Sequence, residues 1–274
     1  MSWINARRRR PVTGYAALLL GLVVVALLYG SLTRQGGTAQ ASAPPVSQQD
    51  ITAGKDLFDA TCSSCHGFGA VGKPDIAPSL IGAGAAAVYF QMSTGRMPAK
   101  EVGAENGRGP VLFTQQQIYE IADYVASLGG GPAIPTAEQV STAGADTALG
   151  SNLFQANCAQ CHGFAGDGGA LTYGKFAPPL TQSTPTQIYT AMLTGPEAMP
   201  VFSDGALSPQ AKRDIIAYIT QTRVEPNPGG FSLGRIGPVT EGLVIWLGGL
   251  GFLVIIALWI TAKRRDPRPT GMEK

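Results

Sequence analysis

The pentapeptide Cys62-Ser63-Ser64-Cys65-His66 returns 96 residues later as Cys158-Ala159-Gln160-Cys161-His162. All 4 cysteines and both histidines of the 274-residue chain lie in these two pentapeptides. C-x-x-C-H is the attachment pattern for c-type haem. Two thiols add across the two vinyl groups of the porphyrin and the adjacent imidazole is held under the iron, so one turn of chain must reach a flat macrocycle at three points. Two C-x-x-C pairs can also build a four-thiolate zinc site, and a lone C-x-x-C serves dithiol exchange in a βαβ setting. Nothing around these cysteines suggests βαβ, and the only histidines directly follow the second cysteine of each pair. Two covalently attached c-type haems are therefore expected, at Cys62, Cys65, His66 and at Cys158, Cys161, His162.

The flanks of the motif repeat as well. Gly54, Leu57, Phe58, Ala60 and Cys62 answer Gly150, Leu153, Phe154, Ala156 and Cys158. Ala77-Pro78-Ser79-Leu80 answers Ala177-Pro178-Pro179-Leu180, and Tyr89, Met92 and Thr94-Gly95 answer Tyr189, Met192 and Thr194-Gly195. Each copy opens on a short helix, with Asp50 or Asp146 as N-cap. Each closes on an amphipathic helix, one starting at the capping box Thr114-x-x-Gln117 and the other at Ser208-Pro209. The pattern is an internal duplication of units of roughly 80 residues, small for a self-sufficient core unless a porphyrin adds apolar mass. Gly129-Gly130-Gly131-Pro132 and an Ala/Thr-rich stretch separate the copies. Phe58 with Tyr124 and Phe154 with Tyr218 are expected where first and last helices cross.

With no further histidine, a thioether is the remaining soft neutral ligand for the far side of each iron, and Met/His ligation raises the potential of a c-type haem. Met92 and Met192 sit at apolar spacing inside the middle helices, where they read as core filling. Met97 and Met199 lie in loops after a glycine, each followed by proline, and are assigned as sixth ligands; open or water-bound iron is the alternative. Pro78 and Pro178 stand where a loop carbonyl would accept the Nδ1–H of His66 and His162, with turn stiffening as the competing role. Iron closed on both faces suits outer-sphere electron transfer rather than substrate binding.

Two apolar stretches flank the duplication. Pro11–Thr33 carries no charge and follows Arg7, Arg8, Arg9 and Arg10; Gly242–Ala262 precedes Lys263, Arg264, Arg265 and Arg268. Each is long enough to span a bilayer, and the basic flanks place both termini in the cytoplasm and residues 34–241 on the extracytoplasmic (periplasmic) side. The first stretch reads as an uncleaved anchor longer than a signal h-region, the alternative being cleavage near Ala39-Gln40-Ala41. The two basic ends hold +7 of a formal net charge of +2, leaving −5 over residues 11–262. That balance argues against nucleic acid and for contact of the ends with anionic membrane lipid.

The expected organisation is all-α: cytoplasmic tail 1–10, transmembrane helix 11–33, linker 34–49, haem domains 50–130 and 146–224 joined by 131–145, linker 225–241, transmembrane helix 242–262 and tail 263–274. Each unit resembles a class I cytochrome c domain, through its short helix, C-x-x-C-H, Pro-containing loop, Met-Pro and final helix. The whole chain resembles the dihaem cytochrome c subunit of actinobacterial cytochrome bc (menaquinol–cytochrome c reductase) complexes. That resemblance implies an electron-transfer subunit of a proton-translocating oxidoreductase in the cell membrane. Electrons would come from the Rieske iron–sulfur subunit, which works with cytochrome b, and pass from haem to haem to the CuA centre of a haem–copper oxidase. The alternatives are a dihaem subunit of another membrane dehydrogenase or oxidase, and a haem peroxidase or gas sensor with an open iron. Lys100 to Leu112 has no match in the second copy and reads as a partner-docking loop or a solvated insertion.

Overall fold

The structure is a computed structural model that describes residues 11–33, 47–103, 105–225, 233 and 238–262. Arg7–Arg10, the tether over 34–46 with Ala39-Gln40-Ala41, most of the linker over 226–237 and the basic tail after Ala262 lie outside the described residues.

Residues 1–45 form one unit and 46–274 the other. In the first, α1 (Pro11–Thr33) is a single helix. From Gly14 to Leu27 it is apolar and its side chains are exposed. At the far end of the second unit, α11 (Pro238–Ala262) is long and apolar enough over Val239–Ala262 to cross a membrane, and none of that window is buried against protein. Apolarity on all sides of α11 fits a bilayer-spanning helix by length and composition.

Between them the repeat is visible element by element. The first copy contains α2 (Gln48–Thr61), α3 (Ser63–His66), α4 (Gly84–Ser93) and α5 (Gln115–Ser127). The second contains α7 (Thr147–Asn157), α8 (Ala159–His162), α9 (Pro185–Thr194) and α10 (Pro209–Val224). The short α6 (Ala137–Val140) lies in the connection. Capping explains the starts. The capping box Thr114/Gln117 opens α5, Ser208 caps α10 with Pro209 at its first turn, and Asp146 accepts the Leu149 N–H at the start of α7. The expected Asp50 cap of α2 is corrected: Ser47 accepts the Asp50 N–H instead, so α2 starts at Gln48 and Asp50 lies in its first turn, where a carboxylate favours the helix dipole.

Each copy has its own core. Phe58, Tyr89, Met92, Ile118, Ile121 and Val125 cluster in the first, and Phe154, Tyr189, Met192, Ile215, Ile216 and Ile219 in the second. Met92 and Met192 are thus core residues, as their spacing suggested. First and last helices cross at a glycine in both copies. A Cβ on Gly54 would collide with the Glu120 carbonyl, and one on Gly150 with the Asp214 carbonyl. The aromatic pairs close the same crossings, with ring centroids 5.4 Å apart for Phe58–Tyr124 and 5.2 Å for Phe154–Tyr218.

Three features were not legible beforehand. A two-residue antiparallel hairpin, β1 (Gly169–Ala170) with β2 (Phe176–Ala177), decorates the otherwise helical second copy. The connection between copies is packed rather than loose: the Pro132 carbonyl accepts the Ala86 N–H, Ile134 joins the first core and Val140 the second. Arg213 of α10 fastens it further by donating to the Ser141 and Ala143 carbonyls. Finally, the copies touch directly through α4 and α9, where the Gln187 amide donates to Ser93 O and Oγ at 3.0 and 3.1 Å.

Candidate functional site

Both pentapeptides fold identically. The first cysteine ends one helix and begins the next, with Cys62 N–H donating to Phe58 O and Cys158 N–H to Phe154 O. One turn later the chain closes on His66 and His162, whose N–H groups return to the Cys62 and Cys158 carbonyls at 2.9 Å in each case. The turn that follows is fixed by Gly72 and Gly168, whose N–H groups donate to the His66 and His162 carbonyls. Both sit at φ +84°, and a Cβ would stand 2.5 Å from Ser79 N or 2.6 Å from Ala177 O. Only glycine lets the loop fold this tightly under the histidine.

That fold delivers the proline loop to the imidazole. His66 Nδ1 lies 2.9 Å from Pro78 O, and His162 Nδ1 lies 3.0 Å from Pro178 O. A carbonyl only accepts, so Nδ1 carries the proton and Nε2 keeps its lone pair. This is the tautomer a metal needs, held by the backbone contact that characteristically orients a ligating histidine. Both outcomes weighed for the prolines reduce to one, since the turn they stiffen is the one that presents the carbonyl. Burial lowers the pKa of His162, with the Pro178 contact opposing it.

In the second copy Cys158, Cys161, His162 and Met199 line one cleft, closed below by Phe154, Ile215 and Ile219. Met192 reaches the same cleft from α9 while belonging to the core. In the first copy Cys62 and Met97 both pack against the core, and His66 is buried. All four thiols are free, Cys65 and Cys161 exposed and their partners half-buried. Burial raises the pKa of the Cys62 thiol and pushes that of Cys158 up to about 11. The donor set of two thiols, one oriented imidazole and one thioether around an apolar slot fits a covalent porphyrin. It does not fit zinc: among the described residues no group of three or more His, Cys, Asp or Glu converges as a metal site.

The insertion of the first copy is mostly exposed, but Glu105, Asn106 and Arg108 tie it to the second copy. Asn106 N–H donates to Glu197 Oε1 at 3.0 Å, Arg108 donates to Ser183 Oγ and Gln187 Oε1, and Glu105 faces Lys175 at 3.9 Å. Arg96, Glu105 and Arg108 of the first copy thereby become walls of the second copy's cleft. Sequence reasoning missed Arg96, and took Glu105 and Arg108 only as part of the unmatched Lys100 to Leu112 segment. The available signal was a charged residue wedged between Gly95 and Met97, and an unmatched segment with nowhere else to go.

A family model described as cytochrome C oxidase, cbb3-type, subunit III matches residues 49–125 and 145–219, one match per copy. The cytochrome bc1 complex cytochrome c subunit of Mycobacterium leprae is 47% identical over 250 residues, 86% of this chain and 86% of that protein. Its counterpart in Corynebacterium diphtheriae is 43% identical over 280 residues, 95% of this chain and 98% of that one. The cbb3-type cytochrome c oxidase subunit CcoP of Azospirillum sp. is 32% identical over 147 residues, 48% of this chain and 47% of that protein. The oxidase likeness thus stops at about half of either protein, whereas the other two run nearly end to end. With 43–47% identity to these subunits over most of its length, and two cytochrome c domains of the kind that bind c-type haem covalently, this chain belongs to the family of cytochrome bc1 complex cytochrome c subunits.

Proposed function

We propose that the chain is a membrane-anchored dihaem relay, carrying electrons from the Rieske centre of a quinol-oxidising cytochrome bc complex to the CuA centre of a haem–copper oxidase. The observation that carries the two-haem reading is the repeated histidine geometry, with Nδ1 engaged by a proline carbonyl and Nε2 left free in both copies. Cys62, Cys65 and His66 hold the first haem and Cys158, Cys161 and His162 the second, with Met97 and Met199 as sixth ligands. Bound haem supplies a one-electron couple.

The chain's own residues do the rest. Thioether bonds fix the macrocycle, the proline carbonyls lock the imidazoles, and the methionines keep water and dioxygen from the metal. Phe154, Ile215 and Ile219 exclude solvent from the second cleft, which limits reorganisation when charge moves. The packed connection and the α4–α9 contact hold the two copies in one arrangement, so the step between haems needs no domain motion.

Helices α1 and α11 act as two membrane anchors with the haem domains outside the cytoplasm. A tethered relay of this kind replaces a diffusing cytochrome. The test is composition: the complex isolated in mild detergent through this subunit contains b-type haem, a Rieske iron–sulfur signal and oxidase copper. Copurification of oxidase haem and copper without b-type quinol-reductase haem or a Rieske signal favours instead the second reading, a subunit of another oxidase, which the partial CcoP likeness supports.

A further inference from the structure

The second cleft contains a buried cation whose donors are unspent. Arg96 is only 5% exposed, and its Nε and Nη1 have no hydrogen-bond partner. Its nearest carboxylate, Glu197 Oε1, stands 3.6 Å from Nε, beyond hydrogen-bond length, and already accepts the Asn106 N–H at 3.0 Å. The guanidinium lies over the Phe90 ring, 5.0 Å from its centroid, which holds the group in place without using its N–H groups. A buried guanidinium with idle donors is costly unless an acceptor meets them.

A second arginine stands at the same wall. Arg108 Nη2 donates to Ser183 Oγ and Gln187 Oε1, both neutral oxygens, so its charge is oriented but not cancelled by these contacts. Both arginines come from the first copy, and both line the cleft that also holds Cys158, His162 and Met199. The other carboxylate there, Glu105, faces Lys175. The cleft thus presents two cations from one copy toward the cofactor space of the other.

We propose that Arg96 and Arg108 bind the carboxylates of the second copy's haem, so that the first copy completes the second copy's site. The inference rests on reading that cleft as a haem site. A guanidinium fork matches a carboxylate in charge and geometry, and the porphyrin's two carboxylates would meet the Arg96 Nε and Nη1 donors that Glu197 leaves without a hydrogen bond. The arrangement has two consequences. Haem attachment to the second copy clamps the two copies together, and cations beside that haem favour its reduced, less positive state. The second haem is then tuned upward by residues that belong to its electron partner.

The experiment is a redox titration of the full-length chain with both haems attached, comparing Arg96→Gln, Arg108→Gln and the double variant. The chain with Cys158→Ala and Cys161→Ala identifies which potential belongs to the first haem. The expected result is a shift of the second haem's equilibrium toward the oxidised form by about tenfold for Arg96→Gln, the size of one unit charge removed at moderate distance in a partly buried site. The shift is smaller for Arg108→Gln and largest in the double variant, while the first haem's potential is unchanged. Arg96→Lys, which keeps the charge, retains most of the wild-type potential and guards against a variant that misfolds. An unchanged second potential in the double variant overturns the clamp and leaves the haem reading standing. So does a shift confined to the first haem, which would mean that Arg96 only supports the Met97 loop. A potential that follows the buffer anion in the unaltered chain points to a free anion at the arginines and also overturns it. Absence of porphyrin mass at Cys158 and Cys161 in the unaltered chain defeats the underlying reading instead.

Discussion

The first and second copies share their helices, their crossings and the histidine contacts, and differ in a few loops and one core position. The glycine crossings, the cysteine–histidine turns, the φ +84° glycines and the proline carbonyls superimpose in role. The differences lie in the ligand loops, the insertions and one core position. Thr94-Gly95-Arg96-Met97 becomes Thr194-Gly195-Pro196-Glu197-Ala198-Met199, and the two charged residues these loops do not share, Arg96 and Glu197, face each other across the interface. The first copy carries the 100–112 segment, the second the β1–β2 hairpin. Where α5 places Ile118 at 1% exposure, α10 places Lys212 at 0%, its ammonium 2.6 Å from Asp204 Oδ1. Duplication preserved what holds a cofactor, and divergence went into joining the copies.

The methionines offer the sharpest way to break that comparison. Met97→Ala and Met199→Ala each convert one haem to a high-spin or weakly ligated state and lower its potential, one copy at a time, read by absorbance and redox titration. Met92→Ala and Met192→Ala leave ligation intact and act as core deletions. Loss of ligation in the latter pair instead would reverse the assignment.

Next come the shared crossings. Gly54→Ala and Gly150→Ala should each destabilise by about 3 kcal/mol, since the helices must part to admit one methyl group. Denaturant unfolding of the holo-chain measures this. A value near zero for either would mean that the crossing has slack which the close approach to Glu120 or Asp214 does not show.

The unshared core position gives the smallest effects. Asp204→Ala strands the Lys212 ammonium and should cost about 2 kcal/mol, less than for a fully buried pair because Asp204 is 53% exposed. Lys212→Ile, which copies the residue at the matching site of the first repeat, should change stability by less than about 1 kcal/mol, because desolvating the pair offsets its attraction. Thermal or denaturant unfolding checks both. If the isoleucine variant costs as much as the alanine one, the ion pair stabilises the second copy beyond what its burial cost allows.

How much could be read in advance follows from how local each feature is. The cysteine–histidine turns, the capping boxes, the core methionines, the aromatic crossings and the proline carbonyl contacts all lie within one copy, where residue type and spacing carry the information. Repetition then doubled the signal. Arg96, Arg108, Glu197 and Gln187 act between copies, and no spacing along the chain encodes which loop of one copy meets which helix of the other. The 100–112 segment read as a docking loop or a solvated insertion, and its contacts to residues 75 to 91 positions away in the same chain were hidden because no local spacing encodes them. Lys212 was invisible for a different reason: on an amphipathic helix a lysine reads as solvent-facing, and only the packed structure shows it in the isoleucine's place. The Ser47 cap was missed because Asp50, three residues on, is itself a good capping residue.

The central claim is that one chain holds two porphyrins, each bound through its own cysteine pair. Intact-mass measurement of the purified subunit, alone and with Cys62→Ala/Cys65→Ala or Cys158→Ala/Cys161→Ala, tests it most directly. The account predicts two covalent haem masses in the unaltered chain and one in each variant. An unaltered chain carrying zinc, or no porphyrin mass, would contradict it.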